Sequence, residues 1–190
     1  MKKMKFLSMT LLATIVLSSC SNDDDNVPTV VNEEEVITTI TATFTPVNGG
    51  APIILRSYDA DGDGPIAPVI TVSGPFATGQ AYHGAITLLN ELETPAGNIT
   101  EEVHEEGVDH QFFFQSAPSI GTFAYTDADA NGRPIGLAFD YTASATAVSS
   151  NLTITLRHQP NKAAAGVANG DITNAAGETD IQILFSTVVQ

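Results

Sequence analysis

The chain has 190 residues with 7 Lys and Arg against 22 Asp and Glu, which gives a formal net charge of −15. An electrostatic field of this sign repels phosphate backbones and anionic lipid and attracts cations, so nucleic acid is excluded as a partner. The length allows one domain behind a leader, and the single cysteine excludes a disulfide within the chain. The same acidic surface would also keep an exported protein soluble.

The first predicted element is a signal peptide that ends in a lipidation motif. Residues 2–5 carry three lysines, residues 6–17 are apolar, and LSSC at residues 17–20 has the small residues and the cysteine of a lipoprotein cleavage site. We therefore expect residues 1–19 to be removed and Cys20 to carry lipid, with the acylated amine supplying a further chain for stable anchoring. Twelve apolar residues are too few for a transmembrane helix, which needs about twenty.

Residues 20–35 are predicted to be an acidic, disordered tether. The segment SNDDDNVPTVVNEEE at residues 21–35 contains two acidic triplets, one proline and no aromatic residue, so it buries too little apolar surface to fold. Its SNDDD run resembles the acidic export signal that sends lipoproteins of Bacteroidota to the outer face of the outer membrane. The resemblance implies a lipid-anchored protein that faces the cell exterior, although a generic spacer explains the same residues.

From residue 36 onward, apolar and polar residues alternate with the period of half-buried β-strands. The predicted strands are 39–45, 53–58, 68–73, 81–89, 110–116, 121–126, 135–142, 151–158 and 180–189. Many short strands divided by Gly, Pro and Asp turns favour an all-β fold. We therefore expect residues 36–190 to form an antiparallel β-sandwich of about nine strands, either Ig-like or jelly-roll-like.

Three stretches depart from simple alternation. The strand at residues 110–116 carries three consecutive phenylalanines on both of its faces, which predicts a central position that is covered on both sides. Asn98, with a glutamate three residues later and Gly107 as a stop, predicts one short helix at residues 99–106. Residues 161–179, which are rich in Ala, Gly and Asn, are predicted to form a long loop.

Two aspartate-rich loops match the start of a calcium-binding loop, with oxygen ligands at positions 1, 3 and 5 and glycine at position 6. The candidate ligands are Asp59, Asp61 and Asp63 in the first loop and Asp127, Asp129 and Asn131 in the second. The twelfth position lacks the usual glutamate in both loops, so a calcium ion would need ligands from elsewhere. Arg133 also places a cation inside the second loop. Ordinary hairpin turns are the alternative, because turns use the same residues.

A candidate transition-metal site lies in the predicted helix and the strand after it. Glu101, His104 and Glu105 share one helix side at i, i+3 and i+4, and His110 begins the next strand and could return to them. Imidazole and carboxylate together suit zinc or another divalent metal. A solvated acidic helix is the alternative, because no recognised metal motif is matched.

The remaining signals for chemistry are weak. His158 lies on the apolar parity of its strand, which favours a satisfied histidine in the core or at its rim, and His83 is expected to be exposed. No nucleophile elbow, phosphate-binding glycine loop or HExxH motif is present, so we expect no enzyme and no organic cofactor. With no tryptophan and only four tyrosines, carbohydrate binding is disfavoured.

Beyond the leader and the acidic run, three segments resemble a family of small flavobacterial lipoproteins. They are LLNELETPAGNITEEVHEEGVDHQFFFQ at 88–115, DADANGRPIGL at 127–137 and LRHQPNKAAAGVANGDITNAAGETDI at 156–181. Members often carry the automatic label "type 1 periplasmic binding fold superfamily", whose α/β fold differs from the one predicted here. The resemblance implies a Bacteroidota outer-membrane lipoprotein working beside a TonB-dependent receptor, and it carries over no defined activity.

The sequence is compatible with three functions. The first is a surface-anchored, ligand-binding β-sandwich that binds a divalent cation as an accessory to TonB-dependent uptake. The second is a structural or adhesion module, without a transport role, whose aspartate loops hold calcium to stiffen the fold. The third, a hydrolase with a metal centre, would depend on Glu101.

Overall fold

The protein is described here from a computed structural model that covers residues 35–62 and 64–190. The predicted signal peptide at residues 1–19, the lipidated Cys20 and the tether up to residue 34 lie outside the described residues, as does Asp63. No helix in the described part of the chain is long and apolar enough to cross a membrane.

Nine β-strands in two sheets are the main regular structure of the described chain, which confirms the predicted all-β sandwich. They are β1 Thr39–Pro46, β2 Ile53–Tyr58, β3 Val69–Val72, β4 Ala81–Leu89, β5 His110–Ser116, β6 Gly121–Tyr125, β7 Ala138–Ala143, β8 Val148–His158 and β9 Glu178–Val189. The larger sheet has the order β3-β2-β1-β4-β7-β6 and the smaller one the order β5-β8-β9. All named strand pairs are antiparallel.

The core forms because alternate residues of each strand point between the sheets. In β4, for example, Tyr82, Ile86 and Leu88 are buried, while His83 between them is exposed and pairs with Asp140 on the outer face. Burial of a large apolar side chain contributes about 1.5–3 kcal/mol to the free energy of unfolding, so these inward rows hold the sheets together. The expected exposure of His83 is confirmed.

Gly84 of β4 lies opposite Phe139 of β7 and leaves room for its ring. A Cβ atom added at Gly84 would overlap ring atoms of Phe139, which is itself buried in the core. The glycine is therefore required by packing, because the neighbouring ring fills the space that a side chain would occupy.

The strand with three phenylalanines, β5, is an edge strand of the smaller sheet, so the predicted central position was wrong. Both of its faces are nevertheless covered, as expected. Phe112 packs in the main core, while Phe113 on the opposite face packs with Val167 and Ala175 from the connection between β8 and β9. A folded loop thus supplies the cover that a further sheet layer would otherwise provide.

Two connections carry helical structure. The connection from β4 to β5 contains the helix α1, Ile99–Glu105, close to the predicted bounds of 99–106. Its buried side chains are Ile99 and Val103, so the opposite side of the helix faces solvent. The predicted loop at residues 161–179 contains two short 3-10 helices, Val167–Asn169 and Ile172–Asn174.

Candidate metal centre

A pair of histidines is placed side by side by the register of the smaller sheet. His110 is the first residue of β5 and lies directly opposite His158, the last residue of β8. Their ring centroids are 4.7 Å apart. Both rings are buried, because they lie where the sheet meets the segment that leads into β1.

A β-bulge in β9 brings a carboxylate to these histidines. Leu156 pairs with Ile181 and Arg157 pairs with Thr179, so Asp180 has no partner residue on β8. Such a bulge adds one residue to a strand and redirects side chains near it. The Asp180 side chain is consequently fully buried and reaches both imidazoles.

The fourth member, Glu35, comes from the segment before β1, which the sequence analysis assigned to the tether. Its Oε1 atom lies 3.1 Å from Nε2 of His110, and its Oε2 atom lies 3.9 Å from Nδ1 of His158. Asp180 contributes Oδ2 at 3.7 Å from Nε2 of His110 and Oδ1 at 3.4 Å from Nδ1 of His158. Two carboxylates therefore flank two imidazoles.

The cluster is almost completely withdrawn from water. The exposed fraction of the side chain is 0% for His110 and Asp180, 5% for His158 and 9% for Glu35. Several of its polar atoms nevertheless make no hydrogen bond within the described residues, namely Nε2 of His110, Oε2 of Glu35 and both carboxylate oxygens of Asp180. The nearest charged neighbours of these atoms are other members of the cluster, at 3.1–3.9 Å. Buried polar atoms in this state are rare and call for an explanation.

Burial and mutual charge shift the protonation of the cluster. Burial, with the nearby Glu35 carboxylate, raises the pKa of Asp180 to about 6. Burial alone would lower the pKa of His110, but the Glu35 carboxylate, the Glu106 carbonyl and the Asp180 carboxylate together outweigh it and raise that pKa. Burial likewise opposes ionisation of Glu35, yet His110 outweighs it and lowers the pKa of Glu35. Protons and a metal cation would therefore compete for the same lone pairs.

A backbone carbonyl orients the His110 ring. Its Nδ1 atom lies 3.2 Å from the carbonyl oxygen of Glu106, the C-cap residue that follows α1. When Nδ1–H donates to this carbonyl, the neutral tautomer carries its lone pair on Nε2, which faces the two carboxylates. Metal-binding histidines in proteins are commonly oriented by such a contact.

The spacing of the cluster fits a four-coordinate metal ion. One ligand atom from each of the four residues can be chosen so that all lie within 4.8 Å of one another. A tetrahedral shell with bonds of about 2.0–2.1 Å separates its ligand atoms by about 3.3–3.4 Å. The nitrogen–oxygen separations within the cluster, which involve both oxygens of each carboxylate, are 3.1, 3.4, 3.7 and 3.9 Å and lie near this value. This Glu/His/His/Asp group could hold a metal ion.

The structure separates the predicted transition-metal ligands. His110 belongs to the buried cluster, whereas Glu101, His104 and Glu105 lie together on the exposed side of α1. The i, i+3 and i+4 spacing places these three on one helix side as expected. That side faces away from the core because Ile99 and Val103 occupy the buried one.

Three members of the cluster escaped the sequence analysis. His158 was expected as a core or rim histidine, and its burial is as expected, but its carboxylate neighbours could not be foreseen. Asp180 gave one signal, since it is the single acidic residue in an otherwise apolar or neutral predicted strand at residues 180–189. Glu35 gave none, because it closes an acidic run that was assigned to the tether.

The second aspartate loop is filled by a cation from the chain itself. Nζ of Lys162 lies 3.0 Å from Oδ2 of Asp129 and also donates to the backbone carbonyls of Gly107 and Pro134. The side chains of Lys162 and Asp129 are only 2% and 1% exposed. An ammonium group therefore supplies the positive charge that a calcium ion would have supplied.

The remaining oxygens of this loop are engaged by backbone groups. Oδ1 of Asp129 accepts the N–H groups of Asn131 and Arg133, and Asp127 accepts those of Gly136 and Ala138. The side chain of Asn131, the third predicted ligand, lies in an exposed turn. The loop is thus closed by hydrogen bonds of the kind that aspartate turns make.

The first aspartate loop is less fully engaged. Asp59 accepts the N–H of Asp61 at 3.3 Å, and Oδ2 of Asp61 accepts the N–H of Ile66 at 3.2 Å. Oδ1 of Asp61 is buried and makes no hydrogen bond within the described residues. The third predicted ligand, Asp63, lies outside the part of the chain that the structure describes.

Fold and site together define an antiparallel β-sandwich with a buried Glu/His/His/Asp cluster at one end of its smaller sheet. Comparison of the chain with protein-family models, with curated proteins and with solved structures gave no match.

Proposed function

We propose that this protein is a metal-binding β-sandwich whose cluster of Glu35, His110, His158 and Asp180 binds one divalent metal ion. The observation that carries the proposal is the set of buried atoms without hydrogen bonds, Nε2 of His110 and both oxygens of Asp180. A buried polar atom without a hydrogen bond costs about 1–3 kcal/mol, of which the ion-pair contacts of 3.1–3.9 Å within the cluster offset a part. A metal ion among these atoms would remove this cost, because it accepts lone pairs from all four residues at once.

Zinc, or another first-row transition metal, is the ion that the donor set favours. Imidazole nitrogen suits zinc, copper and nickel, whereas calcium requires six to eight oxygen ligands. The cluster offers two imidazoles and two carboxylates. Two carboxylate charges would also balance a divalent ion, which favours binding in a site withdrawn from water.

The closed geometry supports metal retention rather than metal catalysis. Catalytic zinc sites keep one position open for water or substrate, while structural sites use four protein ligands. Here four side chains surround the centre, and none of them is more than 9% exposed. We therefore propose a binding function without an enzymatic reaction, which leaves the hydrolase as the weakest of the three alternatives.

The leader motif and the acidic run support a location for this function. We propose that Cys20 carries lipid, that the sandwich is anchored to the outer membrane facing the cell exterior, and that it serves a TonB-dependent receptor in cation uptake. The strongly acidic chain supports cation capture, because its field raises the local concentration of cations. No nucleic acid or carbohydrate partner is proposed.

X-ray absorption spectroscopy of the zinc-loaded full chain tests the proposal. We expect a shell of four nitrogen and oxygen ligands at about 2.0–2.1 Å with the scattering pattern of two imidazoles. The double variant His110→Ala, His158→Ala should lose the imidazole signal, and His104→Ala should retain it. A six-coordinate, all-oxygen shell in the wild-type protein would contradict the proposed site.

A further inference from the structure

A cavity of about 260 Å³ adjoins the cluster. It lies where the start of β1 and the end of β2 face β9, and two of the proposed ligands, Glu35 and Asp180, form part of its wall. Asp59, the first residue of the first aspartate loop, lines the same cavity. The cavity thus joins the proposed metal site to a carboxylate that does not belong to it.

The size and charge of this cavity match a hydrated divalent cation. Six waters around an ion occupy about 180 Å³ at roughly 30 Å³ per water, which the cavity accommodates. Its described lining contains three carboxylates and neither lysine nor arginine. The side chains of Ser57 and Gln182 also line it, and such groups can replace the waters of an entering ion.

The cluster itself is too tight for an ion that keeps its waters. All four ligand atoms lie within 4.8 Å of one another, so they enclose space for a bare ion alone. An incoming ion must therefore lose its waters before it reaches His110 and His158. The adjoining cavity is the place in the described structure where this exchange can occur next to two of the four ligands.

We propose that the cavity is the entry chamber of the metal site and that Asp59 binds the hydrated divalent cation there before transfer to the cluster. This inference rests on the proposed function. Asp59 is held in place by the hydrogen bond from the N–H of Asp61 to its Oδ1 atom. Asp59, the first residue of the first aspartate loop, thereby acts as an outer cation site.

Stopped-flow loading of the metal-stripped full chain with zinc, followed through a competing chromophoric chelator, tests this inference. Asp59→Asn should lower the association rate constant about three- to tenfold, because it removes the carboxylate that attracts the ion at the entrance. The dissociation rate constant should fall by a similar factor, since an entry group acts on passage in both directions. The stoichiometry of one zinc should not change.

Two further variants make the result specific. Asp140→Asn removes the same charge from an exposed residue of β7 that does not line the cavity, and it should load at the wild-type rate. Asp59→Glu keeps the carboxylate and should retain most of the wild-type rate. If Asp59→Asn takes up zinc at the wild-type rate, the proposed entry role of the cavity is wrong, while the proposed metal site is unaffected. A wild-type chain that binds no zinc would overturn the proposed function, and the entry chamber with it.

Discussion

The carboxylate of Glu35 lies 3.1 Å from Nε2 of His110, although one residue precedes the first strand and the other begins the fifth. This contact ties the segment that enters β1 of the larger sheet to an edge strand of the smaller one. A residue of the predicted tether thus belongs to the proposed metal site, and a fragment that begins at Val36 would lack one of four ligands.

Glu35→Gln should weaken zinc binding by a factor of at least about ten. Loss of an outer-shell contact typically lowers metal affinity by about 10–100-fold, and removal of the charge of a ligand should cost more. Competition with a chromophoric chelator measures the dissociation constant. Glu105→Gln, which removes the same charge from the exposed side of α1, is the matched control and should bind zinc like the wild type. Equal zinc affinities of the wild type, Glu35→Gln and Glu105→Gln would show that Glu35 is not a ligand.

The stability of the metal-stripped protein should fall as the pH rises from about 5 to 7.5. The pKa of Asp180 is raised to about 6 and that of His110 is also raised, so the folded state binds protons more tightly than the unfolded chain does. This stabilisation is present at acidic pH and is lost as the pH passes through the folded pKa values. Urea denaturation at several pH values measures the trend.

Zinc should reverse this pH trend. Since the ion replaces the protons, the gain in the free energy of unfolding on adding zinc should grow with pH over the same interval. A zinc-induced gain that is the same at pH 5 and at pH 7.5 would argue against ligands that must lose protons.

Lys162→Met should destabilise the protein by about 3–5 kcal/mol, because it leaves the Asp129 carboxylate buried without its counter-charge. Two backbone carbonyls, those of Gly107 and Pro134, lose a donor at the same time. Chemical denaturation measures the change.

The control for this variant is an ion pair at the surface. Arg56 pairs with Glu91 at 3.1 Å. Both side chains are more than a third exposed, at 41% for Arg56 and 34% for Glu91. Arg56→Met should therefore cost about 1 kcal/mol or less. A similar cost for Lys162→Met would show that the buried pair does not support the second aspartate loop.

Gly84→Ala should destabilise the fold by about 1–3 kcal/mol, since the added methyl group overlaps the ring of Phe139 in a filled core. Gly74→Ala is the matched control, because nothing lies within 4 Å of the Cβ position there. The control should be neutral or slightly stabilising. Thermal unfolding of both variants measures the difference, and equal midpoints would contradict the packing role of Gly84.

Much of the fold could be predicted because strand alternation is a local property. The bounds of β2 and β4 agree with the predicted 53–58 and 81–89, since side chains alternate there between core and solvent. Those of β5 agree with the predicted 110–116 although both of its faces are covered. The position of β5 in its sheet could not be predicted in this way. Its consecutive phenylalanines indicate that both faces of the strand are buried. They do not indicate that a loop, rather than a further strand or sheet, buries one of these faces.

The metal cluster depends on relationships that local patterns do not contain. The register of β5 with β8 places His110 opposite His158. Asp180 reaches them through a β-bulge in β9, and no Gly, Pro or Asn in the sequence indicates that bulge. The parity of His158 predicted its burial correctly. Burial alone, however, does not distinguish a core histidine from a ligand, since the difference lies in which carboxylates arrive from distant segments.

The most direct test of the metal site is native mass spectrometry of the full chain, stripped of metal and then titrated with zinc. We predict one zinc per chain in the wild type and in His104→Ala. We predict no stoichiometric zinc in the double variant His110→Ala, His158→Ala. Absence of zinc from the wild type, or its retention in the double variant, would contradict the assignment of these histidines as metal ligands.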